Sequence, residues 1–222
     1  MLAVVPVRGM RGGKTRLSAM FDEEERVALT GAMLRTVLDA LSGAVGVAGV
    51  GVVTPDSAVA LAFPALEDRV ELVRQPPDAV GLNQALNVGR AWALERGATA
   101  MLALSADLPL LTPTDVEAFV AASAPLVFAP DRHGCGTNAV LLRLDGPYAP
   151  AANAFTFGFG ERSFPRHLAE ADRLGLPVAV VKTNGTAFDL DFPDDWAMLP
   201  VDLRRQLLRS PQISAEATLC RA

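Results

Sequence analysis

Lysine is nearly missing from this chain of 222 residues: Lys14 and Lys182 stand against eighteen arginines. That scarcity makes Lys14, inside a glycine-rich loop, conspicuous. Cysteine is as scarce. Cys135 and Cys220 are too few for a disulfide framework or a cysteine-based zinc site. Neither histidine, His133 or His167, has a partner at zinc spacing. No apolar run is long enough to span a bilayer. No cleavable apolar leader precedes the cations Arg8, Arg11, Lys14 and Arg16, so a reducing cytoplasm is the expected compartment. The net charge of -5 excludes a general nucleic-acid or membrane-surface binder.

What is present is apolar. Half of the residues are hydrophobic, enough for a sizeable core in one domain. Strand-like segments run over 2–7, 45–53, 70–73, 101–105, 126–129, 139–144 and 178–181. Helical spacing predicts a long helix opening at Asp22, with Val27, Leu34, Val37, Leu38 and Leu41 on its apolar side. Further helices are expected over 83–96, from Thr112-Pro113 to Ala122, over 166–174 and over 201–208. Strands alternating with helices imply a single three-layer α/β/α domain, Rossmann-like, with a mostly parallel sheet. It is expected over 1–210, followed by a tail, 211–222.

Asp107 closes the run Met101-Leu-Ala-Leu-Ser-Ala-Asp107, which suits a strand covered on both faces. Pro109 then stops sheet pairing. A carboxylate at the carboxyl end of a buried parallel strand sits where open α/β sheets bind ligands.

The loop from Arg8 to Arg16 resembles a phosphate cradle but is not a Walker motif. Gly13-Lys14-Thr15 is there, yet the position five before Gly13 is Arg8. Its glycines let main-chain N–H groups approach an anion, and Arg8, Lys14 and Arg16 supply charge suited to a triphosphate. Near the carboxyl end, Asp189 and Asp191 alternate along an extended segment and so share a side. Hard oxygen ligands in that arrangement suit magnesium. Asp194 is expected to cap the helix that follows.

Gly81-Leu-Asn83 precedes a helix that Asn83 suits as a cap, while its N–H groups suit a phosphate or base. Thr137, in the glycine-bracketed turn before Asn138, offers a hydroxyl and an N–H to an anion. Gly160-Glu-Arg-Ser163 leads into the helix bearing His167, with Ser163 placed to cap it and Arg162 or Arg166 to add charge. The aromatic run Phe155-Thr-Phe-Gly-Phe159 is read as packing, and His167 as structural.

Taken together, these motifs resemble the MobA-like nucleotidyltransferases, and among them the guanylyltransferases of deazaflavin coenzyme biosynthesis, the CofC/FbiD family. The carrying segments are Val5-Pro-Val-Arg8 with Gly13-Lys-Thr-Arg-Leu17, Gly81-Leu-Asn-Gln-Ala-Leu86, Ser105-Ala-Asp-Leu-Pro-Leu-Leu111, Gly136-Thr-Asn138, Phe159-Gly-Glu-Arg-Ser-Phe164 with His167, and Asp189-Leu-Asp-Phe-Pro-Asp194. They cover the chain from Val4 to about Leu199.

The resemblance implies transfer of GMP from GTP to the phosphate of a small three-carbon acid, with release of diphosphate, in coenzyme F-420 biosynthesis. The family's acceptors are 2-phospho-L-lactate, phosphoenolpyruvate and 3-phospho-D-glycerate. It implies two Mg2+ ions on Asp107, Asp189 and Asp191, and an acceptor held by Thr137, Gly160 and Ser163. Val7, Arg8, Gly13, Lys14, Arg16, Gly81, Asn83 and Asp107 are expected at the nucleotide, with Lys14 and Asp107 catalytic. A homodimer is compatible with this fold class. Cys135 stands where the family often carries a small polar residue, which leaves the acceptor open. Two other readings stay open: a MobA-like transferase for a molybdenum-cofactor precursor or sugar phosphate, and a GTP-binding regulator without catalysis.

Overall fold

The computed structural model describes residues 1–56, 59 and 69–209. The expected tail, 211–222, lies outside them. The described residues form a seven-stranded sheet of β1 (Leu2–Pro6), β2 (Gly49–Thr54), β3 (Val70–Arg74), β4 (Ala100–Leu104), β5 (Leu126–Pro130), β6 (Thr137–Arg143) and β7 (Val178–Val180). Their order is β3-β2-β1-β4-β6-β5-β7. β6 runs antiparallel to both of its neighbours, and the other pairings are parallel. The sheet is therefore mostly parallel, as expected.

The central strands read as unbroken apolar runs because both faces are covered. Ala3 and Val5, Leu102 and Leu104, Val127 and Ala129 enter one core; Val4, Met101 and Ala103, Leu126 and Phe128 enter the other. This period of two feeds two helical layers. Helices α1 (Glu23–Gly43) and α3 (Pro113–Ala121) cover the first face. Helices α2 (Leu82–Glu95) and α5 (Ser163–Arg173) cover the second. Gly89 lets α2 lie directly on β1, since a Cβ there would collide with Val4. A third cluster joins Leu17, Met33, Leu190 and Trp196 near the carboxyl-terminal helices.

Local chemistry sets the starts of α1 and α3. Asp22 and Glu25 form a capping box for α1, and Thr112 and Asp115 do so for α3, with Pro113 in the first turn. Several boundaries differ from the sequence expectation. β2 begins at Gly49 rather than Val45, because the chain turns after α1 with Gly46 at φ 95°. α5 begins at Ser163, three residues early; Pro165 falls in its first turn, where a missing N–H costs little. Short helices α4 (Ala149–Asn153), α6 (Asn184–Ala187) and α7 (Pro193–Met198) are too brief to show a period. The last helix, α8 (Val201–Arg209), falls where the pattern put it. Among the described residues no helix is long and apolar enough to cross a membrane.

Candidate active site

β2 lies on one side of β1 and β4 on the other, so strand order reverses between β1 and β4. Ligands of open α/β sheets bind at such a switch point, beyond the carboxyl ends of the strands. A cavity of about 240 Å3 opens there. Pro6, Val7, Arg8, Gly13 and Lys14 line it from the loop after β1, and Leu104 to Asp107 from the end of β4. Met33 of α1 and Leu82 and Leu86 of α2 form apolar walls, and Phe159 closes the side toward α5. Of the residues expected at the nucleotide, Val7, Arg8, Gly13, Lys14 and Asp107 thus share one cavity.

Lys14 sits at the focus. It adopts a left-handed conformation (φ 51°) before a 3-10 turn over Thr15–Leu17. Its Nζ donates to Asp107 Oδ2 at 2.5 Å and to Asp191 Oδ1 at 2.8 Å. Only 11% of the side chain is exposed. Burial alone would lower its pKa, but the two carboxylates outweigh burial and hold the ammonium above its ordinary value. Arg16 lies outside this focus: it donates to Asp191 Oδ2 at 3.3 Å and covers the Phe192 ring.

The carboxylate segment is stitched to the end of β4. The Leu190 N–H donates to the Asp107 carbonyl at 3.1 Å. Asn138 of β6 donates to the Thr186 carbonyl at 3.0 Å and to Asp189 Oδ1 at 3.4 Å. Burial, and then the charges of Asp107 and Asp191, push the Asp189 carboxyl above the usual carboxylate range.

Asp107, Asp189 and Asp191 offer hard oxygen donors of the kind a divalent metal takes, and two of them already hold a cation. As they stand, the Lys14 ammonium takes the space between Asp107 and Asp191. Among the described residues no group of three or more His, Cys, Asp or Glu side chains is gathered to ligating distance.

Capping departs from expectation at three places. Asp195, not Asp194, caps α7: its Oδ2 accepts from the N–H groups of Asp191 and Phe192 at 2.8 and 2.7 Å. The carboxylate at the third helical position reaches back, as in a capping box, and also accepts from Arg132. Burial would raise the Asp195 carboxyl, but Arg132 and these N–H groups hold it below its ordinary value. Asn83 does not cap α2; Gly81 (φ 90°) is the cap, and Asn83 instead binds the main chain of Phe159. Ser163 does not cap α5 either. Arg162, left-handed at φ 50°, is the cap, and Ser163 is the first helical residue.

The residues expected at the acceptor lie across β6 and do not line this cavity. Asp131 accepts from the N–H groups of Cys135 and Gly136, each at 2.9 Å, and shapes the turn before Thr137. The Cys135 carbonyl accepts from the Phe164 N–H at 3.0 Å, which draws the start of α5 to that turn. Thr137 and Ser163 are both buried, and the Thr137 hydroxyl meets His167 Nδ1 at 2.9 Å. Gly160 (φ 123°), three residues before Ser163, is exposed. Cys135 and His133 are exposed. Sequence reasoning gave no role to Asn138, Arg132 or Asp195, and read Phe159 as packing. Asn138 and Phe159 lay inside quoted motifs; Arg132 and Asp195 carry no signal before the fold is known.

A switch-point cavity beside a lysine held between two carboxylates, on this sheet, defines an α/β nucleotidyltransferase. A structure of a nucleotide-diphospho-sugar transferase candidate from Desulfovibrio desulfuricans shares the fold, with a TM-score of 0.71 at 15% identity, over 98% of this chain and 94% of that one. So does a Mycobacterium tuberculosis protein solved in complex with manganese, with a TM-score of 0.51 at 19% identity, over 95% and 98%. The family described as "Guanylyl transferase CofC like" matches residues 1–202, and the chain belongs to it. It is 48% identical to the phosphoenolpyruvate guanylyltransferase of Rubrobacter xylanophilus over 89% of this chain and 92% of the relative. It is 38% identical to the 3-phospho-D-glycerate guanylyltransferase of Phenylobacterium zucineum, over 87% and 86%. The family resemblance seen in the motifs is borne out.

Proposed function

We propose that this enzyme transfers GMP from GTP to the phosphate of a small phosphorylated three-carbon acid, phosphoenolpyruvate foremost, in the biosynthesis of coenzyme F-420. The carrying observation is Lys14 held between Asp107 and Asp191 at the end of the cavity. The acceptor choice leans on the relatives: those at 48%, 42% and 36% identity are phosphoenolpyruvate guanylyltransferases.

The chemistry asks for positioning and charge neutralisation. A phosphate oxygen of the acceptor, already ionised at neutral pH, forms a bond to the α-phosphorus. The bond from that phosphorus to the bridging oxygen breaks, and diphosphate leaves with the electron pair. No strong base is required. Lys14 and Arg8 line the nucleotide cavity, where fixed positive charge stabilises the departing diphosphate. Asp107, Asp189 and Asp191 are the residues to hold Mg2+, which when bound neutralises phosphate oxygens and favours in-line displacement. Met33, Leu82 and Leu86 offer the apolar surface a guanine needs. Thr137, Gly160 and Ser163 receive the acceptor.

The test is diphosphate release from GTP with phosphoenolpyruvate, 2-phospho-L-lactate and 3-phospho-D-glycerate in turn, with the product weighed by mass spectrometry. A guanylylated phosphoenolpyruvate is expected. Binding of GTP without diphosphate release under any acceptor would favour a regulator and end this reading.

A further inference from the structure

His167 is fully buried on α5, stacked on Phe128 with centroids 5.7 Å apart and edge-on to Phe159 at 4.9 Å. A phenylalanine would fill that space. Its two nitrogens instead bind two different parts of the site. The Gly158 N–H donates to Nε2 at 2.8 Å. A main-chain N–H can only donate, so Nε2 carries a lone pair. The one hydrogen of a neutral imidazole then sits on Nδ1. Burial, with Arg166 nearby, lowers the imidazole pKa to about 4, against a smaller opposing effect of Glu170, so the neutral form prevails.

Nδ1–H therefore donates to Thr137 Oγ1 across their 2.9 Å contact. A hydroxyl has one hydrogen to give. With Oγ1 already accepting, that hydrogen remains available, and no second partner of this hydroxyl is found among the described residues. An anionic acceptor takes donors only. Resting on the assignment of Thr137 to the acceptor, we propose that His167 is a positioning residue: by donating through Nδ1 it turns the Thr137 hydroxyl into a donor to the phospho-acid. The Gly158 N–H, by occupying the Nε2 lone pair, holds the ring in that tautomer.

Steady-state kinetics of the full chain with GTP and phosphoenolpyruvate test this, alongside 15N spectra of the imidazole. The spectra should place the hydrogen on Nδ1. His167→Phe and Thr137→Val should each raise the acceptor KM roughly tenfold, the loss expected for one hydrogen bond to a charged group, with the GTP KM within about twofold. The double variant should be no worse than either single one, and His167→Asn, which keeps a donor near Nδ1, should recover part of the loss. A hydrogen on Nε2 overturns the proposal whatever the variants do. So does Thr137→Val raising the acceptor KM while His167→Phe leaves it alone or shifts both KM values equally. If Thr137→Val itself leaves the acceptor KM unchanged, the acceptor assignment has failed, and the proposal with it.

Discussion

Asn83 grips both main-chain groups of Phe159, accepting from its N–H at 2.8 Å and donating to its carbonyl at 3.2 Å. The two residues are 76 positions apart. The contact locks α2, a wall of the switch-point cavity, to the segment that leads into α5. Arg90, two turns further along α2, adds a hydrogen bond to the Phe155 carbonyl at 2.7 Å and lies over the Phe157 ring. The aromatic run read as packing is so for Phe155 and Phe157, which are buried, whereas Phe159 lines the cavity.

Asn83→Ala should therefore loosen one wall that serves both substrates. Its expected cost is ~2 kcal/mol of stability, since a paired amide is lost and two part-buried backbone groups lose their partner. Both KM values should rise together. Urea unfolding and two-substrate kinetics check this; a rise in the acceptor KM alone would contradict it.

Lys14→Met should lower kcat by roughly a hundredfold or more, the usual cost of removing a fixed donor beside developing negative charge. It also leaves Asp107 and Asp191 without the cation they share, and Asp191 with Arg16 alone. Added magnesium should then raise the variant's melting temperature more than it raises that of the unaltered protein. Equal rises in a thermal-shift titration would argue against these carboxylates as the metal site.

Asp195 is 2% exposed and holds two N–H groups of the Asp191–Phe192 segment as well as Arg132. Asp195→Ala should cost ~3 kcal/mol in urea unfolding, because a buried charge-paired network is opened. Activity should fall as well, as Asp191 loses its anchor. A double-variant cycle with Arg132→Ala should show coupling of ~1–3 kcal/mol; simple additivity would mean that the two side chains act separately.

His167 gives the fold a pH dependence of known sign. Its folded pKa of about 4 lies below the ordinary 6.5, so the unfolded chain takes up the proton first. The contribution is full above pH 6.5, declines as the pH falls toward 4, and is lost below, for a total of ~3 kcal/mol. Urea midpoints at pH 7 and pH 4.5, compared between the unaltered protein and His167→Phe, should show the larger drop in the unaltered protein. Parallel drops would count against a neutral buried imidazole.

Much of this was legible in one dimension. Apolar runs of strand length, helix caps and proline stops follow from local chemistry. They therefore gave the three layers, the strand-end position of Asp107 and the cation-rich loop after β1. Caps were misread where two candidates stood close together. Asp194 and Asp195 are neighbours, and only the second reaches back to the Asp191 and Phe192 N–H groups.

By itself the sequence determined which segments are buried on both faces, where they end, and which charged groups stand at those ends. The tertiary structure decided who meets whom. Lys14 is 93 residues from Asp107 and 177 from Asp191, and Thr137 is 30 from His167. Those pairings depend on strand order, with β4 beside β1 and β6 beside β4. Strand order is set by burying two apolar faces at once, a condition on the whole chain that no local stretch of it records.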